Sequence, residues 1–168
     1  MIYMGIDIGG STRNGITIIN DKEKILYTVA IPFDKHKTKG DHRRFVAQHV
    51  LDLVTQYNVD MIVIERVKMH RGSNLSRLSN IVSLSKITAT IIDKIFDKCK
   101  IYDCETVSWK SKVLGNKSAT KEDAVNFVKR VYGIETPHDQ ADSVCQAIYL
   151  KRYINDTVNG KFQEITDK

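Results

Sequence analysis

No stretch of the chain approaches the run of about 20 apolar residues that a bilayer-spanning helix requires. A transmembrane protein is therefore not expected. Cysteine is scarce: Cys99, Cys104 and Cys145 are odd in number and show no CxxC spacing, so neither a disulfide framework nor a structural zinc site is expected. The β-forming residues begin at Ile2, which leaves no room for a cationic segment followed by an apolar h-region; a secretory signal is not expected, and a reducing cytoplasm fits. Internal repeats and low-complexity linkers are also missing. With 168 residues, 42% of them hydrophobic and 27% charged, the chain reads as one globular domain over residues 1–155, with a tail over 156–168 that has little apolar periodicity and is expected to fray.

What is present is an excess of positive charge, formally +6. It collects in connecting segments. Lys35, His36, Lys37 and Lys39 precede one helical pattern, and Lys68, His70, Arg71 and Arg77 follow an apolar run. Lys110, Lys112, Lys117 and Lys121 cluster further on. Such segments suit a polyanion, and they equally suit ordinary solvated loops; position alone does not choose between them.

The hydrophobic period separates the elements. Ile2–Ile8, Gly15–Asn20 and Lys24–Ile31 read as strands joined by short turns, hence an antiparallel meander. Phe45, Val46, His49, Val50, Leu53, Val54 and Tyr57 then recur at helical spacing from about Asp41 to Tyr57. Met61–Ile64 is a continuous apolar run of the kind buried on both sheet faces. A long helix is predicted from Asn74 to Phe96 and a fifth strand over Ile101–Val107. Another helix begins with the capping-box-like Thr120-Lys121-Glu122-Asp123 and ends at Gly133, and a last one follows Pro137. The order β-β-β-α-β-α-β-α-α predicts an α/β fold with a mixed five-stranded sheet and helices on its faces.

Placed on that scaffold, four acids converge. Asp7 interrupts an apolar strand between Ile6 and Ile8. Glu65 ends the MIVI strand, which the topology makes a parallel neighbour of the first. Asp139 and Asp142, three apart at the start of the last helix, project from one face. Each has a plainer role available: Asp7 as acceptor for the Gly9-Gly10 turn, Glu65 as a loop cap, Asp139 and Asp142 as first-turn acids favoured at a helix N-terminus. Joint placement favours a site. Four unneutralised carboxylates would repel one another, and a hard divalent cation, Mg²⁺ or Mn²⁺, removes that repulsion while letting a phosphate backbone approach. The expected reaction class is metal-dependent phosphodiester hydrolysis. His138 could serve this site, though a lone histidine near a helix start is more commonly a surface residue.

The segments GIDIGGSTRNG (Gly5–Gly15), IVIERVKM (Ile62–Met69), WKSKVLGNKSATKEDAVNFV (Trp109–Val128) and HDQADSVCQAIYL (His138–Leu150) stand in the order and spacing of a known family. The chain resembles the RuvC-type Holliday junction resolvases, of the short, phage-encoded kind. The resemblance implies an RNase H-like fold and Mg²⁺ dependence, with Mn²⁺ able to substitute. It also implies a homodimer that places paired nicks in four-way DNA junctions, and a cytoplasmic location in a bacterial host. By the same resemblance Asp7, Glu65, Asp139 and Asp142 are the catalytic and metal-binding acids. Lys110 and Lys121 are the basic groups at the scissile phosphate, with Lys117 a nearby alternative. Lys68, Met69, His70, Arg71, Arg77, Lys112 and Lys117 are expected to contact DNA, and the Asn74–Phe96 helix to form the dimer contact. One departure is visible. Family members commonly carry an aromatic wedge just after the second acid, whereas Arg66-Val67-Lys68-Met69-His70-Arg71 has none; Met69 is the apolar substitute, and weaker sequence selectivity is expected.

Three other readings compete. GIDIGGSTRNG also resembles the phosphate-binding turn of actin-like kinases, but those need two such domains, and 168 residues do not supply them. A related nuclease acting on RNA–DNA hybrid or a replication fork would carry the same acids. A non-catalytic nucleic-acid-binding module would gain nothing from buried negative charge.

Overall fold

The structure, a computed structural model, describes residues 1–9, 13–34, 36–67, 75–156 and 160–166, with the side chains of residues 75–77 left aside. Three strands open the chain: β1 (Ile2–Ile8), β2 (Arg13–Asn20) and β3 (Ile25–Pro32). They form the expected meander, β1 antiparallel to β2 and β2 to β3. Helix α1 (Lys39–Tyr57) follows, capped by Thr38, whose side chain accepts from the Asp41 amide, and ended by Asn58 in the left-handed region at φ 49°. Strand β4 (Met61–Glu65), helix α2 (Leu75–Ile95) and strand β5 (Lys100–Cys104) complete two strand–helix–strand crossover units, and β4 lies parallel to both β1 and β5. Three helices come next: α3 (Thr106–Val113), α4 (Lys121–Tyr132) and α5 (His138–Tyr153). The Thr120–Asp123 capping box at the start of α4 is formed reciprocally, and Gly133 closes that helix at φ 70°.

Two expectations need correction. The described sheet has six strands, in the order β3-β2-β1-β4-β5-β6, not five. Strand β6 (Phe162–Glu164) lies in the tail that was expected to fray. Three residues cannot display an alternating pattern. The strand exists because β5 offers a free edge, against which Tyr102 pairs with Glu164 and Cys104 with Phe162, while Phe162 stacks on Tyr149 of α5 at 4.6 Å between ring centres. Residues 106 and 107, read as the end of the fifth strand, begin α3 instead. Its eight residues include Thr, Val and Trp, which are better strand than helix formers, and only Ser108, Trp109 and Val113 are buried, too few to show a helical period.

Strand alternation divides the side chains between two cores. Met4, Ile6, Ile16, Ile18, Ile62 and Ile64 pack under α1 and α2. Tyr3, Ile19, Val63, Tyr102 and Cys104 pack on the opposite face under α3, α4 and α5. Odd positions of β1 and β4 therefore point toward α5, and these include Gly5, Asp7, Val63 and Glu65. A Cβ on Gly5 would stand 2.2 Å from the Ser143 carbonyl oxygen and 2.6 Å from the Ala147 nitrogen; one on Gly15 would stand 1.9 Å from the Asp139 carbonyl oxygen. The helix backbone thus rests directly on β1 and β2. Buried hydroxyls fix its register: Thr17 Oγ1 lies 2.7 Å from Ser143 Oγ and 2.8 Å from Thr28 Oγ1, and Gln140 Nε2 donates to Thr28 Oγ1 at 3.0 Å.

Gly5→Ala must push α5 off the sheet, because its neighbours there are backbone atoms that cannot rotate away. A loss of at least about 2 kcal/mol in unfolding free energy is expected from urea titration. A midpoint equal to wild type would show that α5 does not rest on this position.

Candidate active site

The same alternation that hides Ile6 and Ile64 turns Asp7 and Glu65 to the α5 face. The parallel register pairs Ile6 with Ile64, so the next residues, Asp7 and Glu65, end side by side at the carboxyl edge of the central strands. Asp7 also pairs across β2 with Gly15, the residue on which Asp139 rests. The first two turns of α5 then add Asp139 and Asp142. Asp7 and Asp142 both feel the other acids. Burial raises the Asp7 carboxyl well above its ordinary range, and Glu65, Asp142 and Asp139 push it further, with Lys121 opposing. Asp142 is pushed up to about 6, first by burial and then by Glu65, with Asp139 adding to the rise and Lys110 and Lys121 opposing it.

Glu65 is held from α3. Thr106 Oγ1 donates to its Oε1 at 2.6 Å, and the indole Nε1 of the fully buried Trp109 donates to Oε2 at 3.2 Å. Neither residue was singled out from the sequence as a site residue. A lone buried tryptophan needs an acceptor for its N–H, and that was the available signal, but without α3 it could not be aimed. Lys110 Nζ donates to the Ala119 carbonyl at 2.7 Å and lies 5.6 Å from the Trp109 ring centre, which places it at the start of α4 beside Lys121. A cleft of about 360 Å³ opens over the strand ends, walled by Asp7, Glu65, Glu105 and Thr106 and, from α2, by Ile81 and Leu84.

The other expected residues are placed unevenly. Lys112 is turned away from the acids, its Nζ 5.9 Å from the ring centre of Tyr153 at the opposite end of α5, and Lys117 is exposed on the turn before α4. His138 is exposed at the first position of α5. Lys68, Met69, His70 and Arg71 lie outside the described residues, as does the side chain of Arg77. Arg66 is tied back onto β5 rather than left to reach outward: Nε donates to Asp103 Oδ2 at 2.9 Å, and Nη1 stands 3.6 Å from Glu105.

Do these residues fit a divalent cation? Among the described residues no three His, Cys, Asp or Glu side chains stand close enough together to form a ligand shell as they are placed. Donor type and charge nevertheless fit: the four groups are all carboxylates, the oxygen donors that hard cations take. In addition Asp142 Oδ1 is buried without a hydrogen-bond partner, so no structural bond ties this carboxylate down at that oxygen.

The decisive comparison is with protein families. Residues 3–150 match the family described as crossover junction endodeoxyribonuclease RuvC. The chain belongs to the RuvC family. It is thus a nuclease of a metal-dependent kind, and the resemblance read from GIDIGG, IVIER and HDQAD holds. Two solved structures of RuvC from Thermus thermophilus share the fold. One has a TM-score of 0.73 at 16% identity, covering 98% of this chain and 100% of that one. The other, in complex with a Holliday junction substrate, has 0.74 at 15%, covering 98% and 99%. The yeast mitochondrial Holliday junction resolvase Ydc2 is a more distant likeness, 0.55 at 14% identity, covering 91% of this chain and 81% of that one. Among curated proteins none matches by sequence. No described helix of this RuvC-family chain is long and apolar enough to cross a membrane.

The raised Asp142 carboxyl predicts an unusual pH dependence. Its folded value of about 6 exceeds the ordinary 3.8, so between those values the folded, metal-free protein binds more protons than the unfolded chain. That contribution to stability is present at acid pH and is lost as pH rises through about 6. Asp142→Asn in EDTA should therefore gain stability over wild type as pH rises, by on the order of 1–3 kcal/mol once Asp142 would be ionised. Parallel melting curves for the two proteins across this range would contradict the assignment.

Proposed function

We propose that Asp7, Glu65, Asp139 and Asp142 are the catalytic acids and together bind Mg²⁺, with Mn²⁺ able to substitute, and that the chain resolves four-way DNA junctions by paired nicks as a homodimer. The observation that carries this reading is the electrostatic strain at the strand ends: two acids, Asp7 and Asp142, are raised by burial and then by the other members of one cluster, beside an open cleft. Structural acids are normally paired with a cation or a cap, and here the two lysines reduce the repulsion without removing it.

A divalent ion, held by Asp7, Glu65, Asp139 and Asp142, would polarise the phosphate and lower the pKa of the attacking water. The chain's own groups do the rest. Thr106 and Trp109 fix both oxygens of Glu65, so that carboxylate is oriented before substrate arrives. Lys110 and Lys121 offset negative charge that builds on the scissile phosphate when a water oxygen adds to phosphorus and the bond to a sugar oxygen breaks. Lys112 and Lys117 extend the positive surface along the phosphate backbone. Lys68, Met69, His70, Arg71 and Arg77 would serve the same strand from the segment after β4, with phosphate contacts outweighing base reading and hence weak sequence selectivity. A two-fold dimer suits the approximate two-fold symmetry of a four-way junction, and α2 is the proposed contact, with Val82 half exposed on its outer side.

Labelled four-way junctions, linear duplex and RNA–DNA hybrid, each incubated with Mg²⁺, test the reading. Paired symmetric nicks in junctions alone are expected, with Asp7→Asn slower by at least roughly 100-fold and Trp109→Phe by roughly 10-fold. Equal cutting of duplex or hybrid would reject the junction assignment and leave the metal chemistry standing. Wild-type cutting by Asp7→Asn would reject the catalytic role. Cleavage confined to one dinucleotide across junctions of varied sequence would reject weak selectivity.

A further inference from the structure

One buried polar side chain has no part in anything described so far. Gln146 of α5 is completely buried, and both its Nε2 and its Oε1 lack a hydrogen-bond partner. An amide in that condition costs on the order of 1–3 kcal/mol for each unmade bond. The other buried amide and hydroxyl side chains of this helix are satisfied: Gln140 reaches Thr28, and Ser143 reaches Thr17 and the Gln140 carbonyl. Gln146 is the exception in a helix that is otherwise apolar from Val144 to Leu150.

Its location gives the exception a direction. Asp139, Asp142 and Gln146 are spaced by three and four, so they form one stripe along α5. Side chains of a helix lean toward its N-terminus, and a glutamine four residues after an aspartate therefore extends back over it. Asp142 Oδ1 is itself buried and unpartnered. Two orphaned groups, one able to donate and one able only to accept when ionised, thus stand one turn apart on the same face.

We propose that Gln146 is a positioning residue for the metal site, its Nε2 donating to Asp142 Oδ1 once a divalent ion is held there, directly or through one water. The other carboxylate oxygen is then the one offered toward Asp7 and Glu65. This rests on the proposed role of Asp142 as a metal ligand. Gln146 touches neither metal nor substrate; it fixes the rotation of a side chain that does.

Gln146→Met keeps the volume and removes both unsatisfied polar atoms. In EDTA it should melt at or above the wild-type temperature, since no folded-state hydrogen bond is lost. The Mg²⁺ concentration that half-completes the metal-induced rise in melting temperature should increase roughly 10-fold or more, as for loss of other groups that orient a metal ligand. Junction nicking should lose kcat to a similar extent with KM for DNA unchanged. Gln146→Leu, a second apolar replacement without the donor, should show the same two losses. A Met variant with the wild-type Mg²⁺ midpoint and kcat would overturn the proposal. In unsubstituted protein the side-chain amide signal of Gln146 should shift as Mg²⁺ is added, and an unmoved signal would overturn it even if both variants failed to fold. A wild-type protein whose melting ignores Mg²⁺ would instead overturn the metal reading itself.

Discussion

The site depends on α5 lying with its backbone against the sheet, which is possible only because β1 and β2 present no Cβ at Gly5 and Gly15. Ordinary helix-on-sheet packing is separated by two layers of side chains. Here one layer is missing, so the short side chains of Asp139 and Asp142 come within electrostatic reach of Asp7 on the adjacent strand. The hydroxyl network of Thr17, Thr28, Ser143 and Gln140 then prevents the helix from sliding. Longer acids on a helix held further away would reach the same place with more rotamer freedom, and would lose part of the advantage of a pre-set geometry.

That close approach carries an electrostatic cost. Asp7 and Asp142 are raised because their neighbours are like-charged and water is partly excluded. Lys110 and Lys121 reduce the tension from one side, and Thr106 and Trp109 stabilise Glu65 from another. The folded chain without metal is consequently less stable than its hydrophobic cores alone would allow, and a cation held by these acids would recover the difference as binding energy.

Much of this was legible in the sequence. The meander, the central parallel strands and the capping box at Thr120 followed from period and turn chemistry, and the four acids stood where that topology places a site. What escaped notice was set by tertiary contact. Strand β6 has only three residues and owes its form to the edge of β5. Helix α3 is short and rich in strand formers, so Thr106 and Trp109 could not be brought to Glu65. Gly15 reads as any strand glycine until α5 is seen against it, and Gln146 reads as one polar residue in an apolar stretch until its lack of a partner is known. The residues after Glu65 were legible as basic, and their reach toward DNA was not decided by that.

The central claim is that one cluster of carboxylates binds divalent cations, and crystals grown with Mn²⁺ and measured for anomalous scattering test it most directly. The account predicts strong peaks between Asp7, Glu65, Asp139 and Asp142, with one Asp142 oxygen facing the ion and the other facing Gln146. Peaks elsewhere on the surface, with none among these four acids under conditions that support cleavage, would contradict it.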